Sequence, residues 1–226
     1  MAKDSNERII EAATRLFALK GYHGTSMRDI ARAVDLTVAT VQGHAGSKEM
    51  LYQEVFRRQY EEDYKIIHSA LDECSEEQKE ALVSSAPLVR QFIKAVWKKL
   101  IGRFQDSPEL VRLWTYRWLE SDELALDIDQ KYSIPLYHIE VEMINKAQQK
   151  GVITSTRLEN LIWMSGFSWL QMGYFTGRNL VRDLGEDDPF GPKSMAAFYA
   201  FLDRYVDRMI QFEDSSSLAE ISKTAQ

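Results

Sequence analysis

The sequence predicts an all-α protein in which an N-terminal three-helix domain of helix-turn-helix type leads into a larger helical domain. Three observations carry this prediction. Apolar residues recur at three- and four-residue intervals in almost every segment, the spacing that places them on one helix face. Glycine and proline are scarce, 11 and 5 among 226 residues. No alternating run of β-branched residues marks a strand. With 45% of its residues hydrophobic, the chain can bury one sizeable core beside a small head.

In chain order, Arg8 to Tyr22 is an amphipathic helix with Ile9, Ile10, Ala13, Leu16 and Phe17 on one face and Gly21 as its stop. Ser26 and Asp29 make a capping-box start for a second helix. Its Met27, Ile30, Ala31 and Val34 form an apolar stripe that leaves Arg28, Asp29 and Arg32 outside. Asp35, a residue type that tolerates left-handed backbone, breaks the pattern. Leu36 plugs the core, Thr37 caps a third helix, and Val38 and Val41 supply its buried side. Two short helices joined by a tight turn, from Thr25 to Lys48, are the arrangement that lays a helix in the DNA major groove. An ordinary helical hairpin has the same local pattern; the flanking helices favour the DNA-binding reading. Ser47 caps the next of them.

Met50 to Leu71 is a long amphipathic helix joining head to body. Asp72 to Pro87 is a polar, acidic connector with room for one short helix. Leu88 to Phe104 restores the helical pattern through Val89, Phe92, Ile93, Val96, Trp97 and Leu100. Ser107-Pro108 starts a helix from Glu109 to Glu120. Ser121 caps a long one ending at Gly151, with Leu124, Ile128, Tyr132, Leu136, Ile139 and Met143 as its stripe and Pro135 kinking it. Leu161 to Phe175 is apolar almost all round, which fits burial on several sides. At about 15 residues, interrupted by Ser165, Ser168 and Gln171, it falls short of the roughly 20 that a membrane span needs. Met195 to Ile210 carries a clean apolar stripe. Arg182 to Pro192 reads as a solvated loop and residues 214–226 as a disordered tail.

The segment from Arg8 to Phe56 resembles the DNA-binding domain of the TetR (tetracycline repressor) family. The resemblance rests on Ala12-Ala13, Leu16-Phe17, Gly21-Tyr22, the ordered stretch Thr25 to Ala31, and Ser47-Lys48-Glu49, and covers about a quarter of the chain. It implies a homodimeric transcription regulator, most often a repressor, with a DNA-binding domain over residues 1–50 and a helical ligand-binding and dimerisation domain over 51–213. By the same resemblance Thr25, Ser26, Thr37, His44 and Lys48 would hold phosphates of a double-stranded operator, and Arg28, Val38, Ala39, Thr40 and Gln42 would face its bases. Where the family has Tyr-x-His-Phe, this chain has Gln42-Gly43-His44-Ala45. Gln42 can still reach a phosphate or read adenine, and Gly43 weakens its helix by up to about 1 kcal/mol relative to alanine. The departure keeps an alternative open: a helical ligand-binding dimer with weakened or lost DNA binding.

The aromatics Trp97, Phe104, Trp114, Trp118, Tyr137, Trp163 and Phe167 suggest a pocket for a small hydrophobic or aromatic effector, with Arg112, Arg117, His138 and Gln171 as candidate polar anchors. The same stripe also fits an ordinary core. Leu161, Gly166, Gly173, Gly177, Phe198, Leu202, Tyr205 and Met209 belong to the two helices that, in the resembling family, form a four-helix bundle across a two-fold axis. A purely internal core is the alternative there.

Charge and chemistry bound the remaining functions. The chain carries a net charge of −6, but residues 1–50 hold seven Lys or Arg against six Asp or Glu, a net of +1, and the remaining 176 a net of −7. The acid lies away from the proposed DNA face. His23, His44, His68 and His138 are scattered without a Glu-x-x-His pair, no phosphate-binding glycine loop occurs, and Glu140 and Glu142 point to different faces of a helix. An enzyme, a metal site and a cofactor are therefore not expected. The single cysteine, Cys74, excludes an intramolecular disulfide, and the polar N-terminus has no signal-like apolar region, so a reducing cytoplasm is expected.

Overall fold

The computed structural model describes residues 5–72, 74–120, 123–177, 180, 183 and 188–213, and every regular element among them is helical. The expected cap at Ser121, most of the acidic loop before Pro192 and the 214–226 tail lie outside the described residues.

The head comprises α1 (Ser5–Lys20), α2 (Met27–Ala33) and α3 (Val38–Ala45). Helix α1 stops at Gly21, whose φ of 69° lies in the left-handed region and whose N–H reaches Phe17 O at 2.8 Å. Helix α2 opens with the expected capping box between Ser26 and Asp29. Asp35 takes φ 57° and closes α2 in a Schellman motif: Leu36 N–H donates to Ala31 O at 3.0 Å and Asp35 N–H to Arg32 O at 3.4 Å. Arg8 of α1 holds this turn through a 2.7 Å bond to Val34 O. Thr37 caps α3 by accepting from Thr40 N–H. Ile9, Ala13, Phe17, Ile30, Ala31 and Val41 close the small core.

Helix α4 (Lys48–Asp72) is shared by head and body. Its first turns bury Leu51, Tyr52, Val55 and Phe56, and Ile67 is buried farther along. The body continues with α5 (Glu76–Val83), α6 (Ala86–Asp106), α7 (Glu109–Leu119), α8 (Glu123–Ile128), a π-helical turn (Asp129–Ser133), α9 (Ile134–Gln149), α10 (Arg157–Thr176) and α11 (Pro192–Met209). The short helix inside the acidic connector is α5, fixed by a Ser75–Gln78 capping box.

The single kinked helix expected through Pro135 takes a different form. Pro135 has no N–H to return to the carbonyl four residues back. The ladder widens just before it, and Ile134 N–H donates to Asp129 O, five residues back. Helix α10 also departs from expectation: Trp163, Met164, Phe167, Met172 and Phe175 are buried, but Leu158, Leu161, Ile162, Trp169 and Leu170 are exposed, so within one chain it is covered on one side only. The end of α11 is tied to the α9–α10 link by an antiparallel bridge between Ile153 and Phe212. No helix among the described residues is long and apolar enough to cross a membrane.

Candidate functional site

Two places in the fold can meet a partner: the outer side of α3 and a cavity in the body. On α3, Val41 is buried and Ala39, Thr40, Gln42, Gly43 and His44 are exposed, with Val38 half-buried at the edge. A side chain at Gly43 would meet nothing within 4 Å, so the face there is open. Arg28 of α2 is also exposed. The Thr37 and Thr40 hydroxyls lie 2.8 Å apart at the helix N-terminus, where backbone N–H groups favour an anion. Ser26 is exposed, but its hydroxyl accepts from Asp29 N–H and donates to the Asp29 carboxylate, which also accepts from Ser26 N–H at 3.1 Å; the two bonds to the carboxylate hold it below the usual range.

Two of the residues expected to hold phosphate are placed otherwise. Thr25 is only 2% exposed, and its hydroxyl points inward to Gly21 O at 2.9 Å and Leu16 O at 3.1 Å. It locks the α1–α2 corner instead of facing solvent. Lys48 is half-buried, its ammonium donating to Tyr22 O and Thr25 O at 3.1 and 3.2 Å and lying 4.0 Å from the Tyr22 ring centroid. It clamps α4 onto that same corner.

The cavity, about 130 Å³, lies between α4, α6, α7, α9 and α10. Of the residues expected to line it, Trp97, Phe104, Trp114, Trp118, Tyr137, Phe167 and Gln171 do so. Trp163 does not: its indole N–H turns to Asn160 Oδ1 at 3.1 Å inside the core. Arg112 is turned away from the cavity, donating to Ala18 O of α1 at 3.2 Å, and His138 is exposed. Arg117 is 2% exposed and paired with Asp129, so it serves as a buried strut. The Tyr137 hydroxyl and Ser168 Oγ are 3.0 Å apart at the wall.

Three carboxylates have places that the sequence pattern does not assign them: Asp63, Glu120 and Glu140, the last of which the sequence offers only beside Glu142. Asp63 of α4 lines the cavity and pairs with Arg103 of α6; burial pushes its carboxyl up, against the pull of Arg103. Glu140 of α9 also lines it, and burial pushes its carboxyl up to about 7 against a hydrogen bond from Trp97. Its position four residues after Leu136 and three after Tyr137, both lining residues, was the signal. Glu120, just past α7, accepts from Tyr22 N–H at 3.4 Å and the Tyr52 hydroxyl at 3.0 Å, joining body to head. Nothing local marks it.

Aromatic rings run from the cavity to the α1 side of the head. Trp114 on the cavity wall meets Phe56 at 4.9 Å, Phe56 meets Tyr52 at 4.9 Å, and Tyr52 meets both Phe17 and Tyr22 at 4.8 Å. Most of these contacts are edge-on, a geometry that interlocks rings.

The residues expected at a subunit interface divide. Leu161, Gly166, Gly173 and Met209 are exposed, and Gly177 ends α10 half-buried. Phe198 and Leu202, 5% and 0% exposed, are packed inside this chain, and Tyr205 donates to Trp163 O at 2.9 Å. These last three are core contacts of the protomer, because the stripe of α11 faces α6 and α10.

Residues 9–55 match the family model described as bacterial regulatory proteins, tetR family. The probable HTH-type transcriptional regulator YttP of Bacillus subtilis is 33% identical over 75 residues, covering 33% of this chain and 36% of that protein. IcaR of Staphylococcus aureus, a negative transcriptional regulator of the biofilm operon icaADBC, is 40% identical over 48 residues, 21% of this chain and 26% of that protein. These curated relatives are thus matched over about a third and a quarter of their length. The structure of the ketosteroid transcriptional regulator KstR2 of Mycobacterium tuberculosis superposes with a TM-score of 0.67 at 14% identity, covering 94% of this chain and 98% of that one.

Proposed function

We propose that this chain, whose residues 9–55 match the family model of tetR bacterial regulatory proteins and which superposes over 94% of its length on a solved transcriptional regulator, is a cytoplasmic homodimeric repressor released from its operator by a small molecule. The outward face of α3 is the observation that carries the reading. Ala39, Thr40 and Gln42 stand clear of the core where a duplex can approach, with Arg28 exposed on the neighbouring helix. Methyl contacts from Ala39 and amide hydrogen bonds from Gln42 are the means of reading bases. Thr37, Thr40 and the α3 N-terminus suit a phosphate.

The cavity supports the second half of the reading. Its wall is built partly from α4, through Asp63 and Ile67, and partly from α7, through Trp114 and Trp118. Both helices grip the head: α4 through Tyr52 on the Phe17 and Tyr22 rings, α7 through Arg112 on Ala18 O and, just past its end, Glu120 on Tyr22 N–H. A ligand that fits better when α4 and α7 are displaced favours a head spacing that DNA does not accept, a population shift. Two heads about 34–36 Å apart meet successive major-groove faces. The exposed apolar side of α10 supports pairing of two copies.

The test is a gel-shift titration of the full chain on DNA flanking its coding region. The parent protein is expected to bind in a salt-dependent manner. Arg28→Ala and Gln42→Ala are expected to relax sequence preference, at about 1–3 kcal/mol each if they contact bases. A folded dimer that binds small molecules and never DNA would favour the other reading, a ligand-binding protein without an operator.

A further inference from the structure

The polar part of the cavity is one-sided in charge. Two carboxylates, Asp63 and Glu140, line it, and no Lys, Arg or His is among the lining residues. The two acids are not equivalent. Asp63 already has a cation, the Arg103 guanidinium, which is itself held by the Gln59 side chain at 2.6 Å. Glu140 has no cationic partner among the described residues; its hydrogen bond is to the Trp97 indole. Trp97 in turn stacks on Phe167 with ring centroids 4.3 Å apart and planes 12° from parallel. An acid beside aromatic faces is an arrangement that attracts positive charge twice, by direct pairing and by cation–π interaction. A ligand carboxylate entering here would face both acids without a counter-cation.

We propose that the effector taken by this cavity is a small aromatic amine or related organic cation, its nitrogen paired with Glu140 and its ring held by Trp97, Phe167 and Trp114. The proposal rests on the reading of the cavity as the effector site. Size agrees with a single ring: the volume of about 130 Å³ is close to the roughly 150 Å³ cavity known to accept benzene. Charge state adds a signature. The groups facing Glu140 are Asp63 from α4, with Arg103 of α6 upon it, Trp97 from α6, Tyr137 on its own helix, and the uncharged Ser168 and Gln171 from α10. With its carboxyl pushed up to about 7, Glu140 is ionised at pH 8 and mostly protonated at pH 5.5.

Three one-ring probes separate the possibilities: benzylamine, benzyl alcohol and benzoate, titrated into the full chain and followed by tryptophan fluorescence and calorimetry. At pH 8 benzylamine is expected to bind about tenfold or more tighter than benzyl alcohol, with benzoate weakest. The amine's advantage over benzyl alcohol is expected to shrink at pH 5.5 and to vanish in Glu140→Gln. Should Glu140→Gln fail to fold, the pH comparison on the parent decides. Benzoate binding as tightly as benzylamine, or an amine preference that survives both the substitution and the lower pH, overturns the charge assignment while leaving the effector site in place. Failure of all three probes to bind removes the effector site itself and the proposal with it.

Discussion

At the scale of single residues, the decisive groups are those whose role depends on what lies opposite them. Glu120 receives a backbone N–H from Tyr22 and the Tyr52 hydroxyl, so Glu120→Ala removes two hydrogen bonds from the head–body junction. A loss of about 1–3 kcal/mol in urea unfolding is expected, together with a weaker effect of ligand on operator affinity. Glu140 has the opposite sign. Its folded carboxyl titrates near 7, above the ordinary 4.5, so between those values the folded state retains a proton that the unfolded chain has released. Stability from this group is therefore full below about pH 4.5, declines as pH rises to 7 and is level beyond. Glu140→Gln is expected to match the parent near pH 5 and exceed it by about 2 kcal/mol at pH 8, measured by urea unfolding at the two pH values. The capping pairs Ser26–Asp29 and Thr37–Thr40 were legible in the sequence because their partners lie three residues away. Glu120 and Asp63 were not, because their partners lie on distant helices.

At the scale of elements, α3 and the Pro135 break show how far local rules reach. Gly43 sits in an ordinary helix with open space where a side chain would be, so Gly43→Ala is expected to raise stability by up to about 1 kcal/mol, seen as a higher melting temperature. Its methyl would project from the exposed side of α3 that is proposed to meet DNA, so the same variant is expected to change operator affinity. The π-helical turn before Pro135 places Ser133 on the cavity wall and lets its hydroxyl bond Asp129 at 3.0 Å. Pro135→Ala restores the missing N–H, and the turn is expected to relax toward α-helix and shift Ser133, weakening probe binding in calorimetry while far-ultraviolet circular dichroism stays helical. The sequence located the irregularity at Pro135; the form it took depended on tertiary packing. Thr25 and Lys48 teach the same lesson, since a hydroxyl and an amine at a corner can serve the fold as readily as a phosphate.

At the scale of the whole molecule, periodicity distinguishes buried from exposed positions without saying which molecule covers them. Phe198 and Leu202 proved to be covered by their own chain, whereas Leu158, Leu161 and Ile162 on α10 are left exposed. An unpaired apolar side of this kind marks an interaction surface. Ile162→Asp is expected to shift the protein toward monomer in analytical ultracentrifugation and to reduce operator binding steeply, since one head alone has half the contacts. On the proposed function, two copies of the α3 face meet DNA side by side. Hydroxyl-radical footprinting of the full chain on DNA flanking its coding region tests it most directly. Two protected patches about 34–36 Å apart on one side of the duplex are expected; a single patch, or uniform cleavage at concentrations where the protein is dimeric, would contradict this placement.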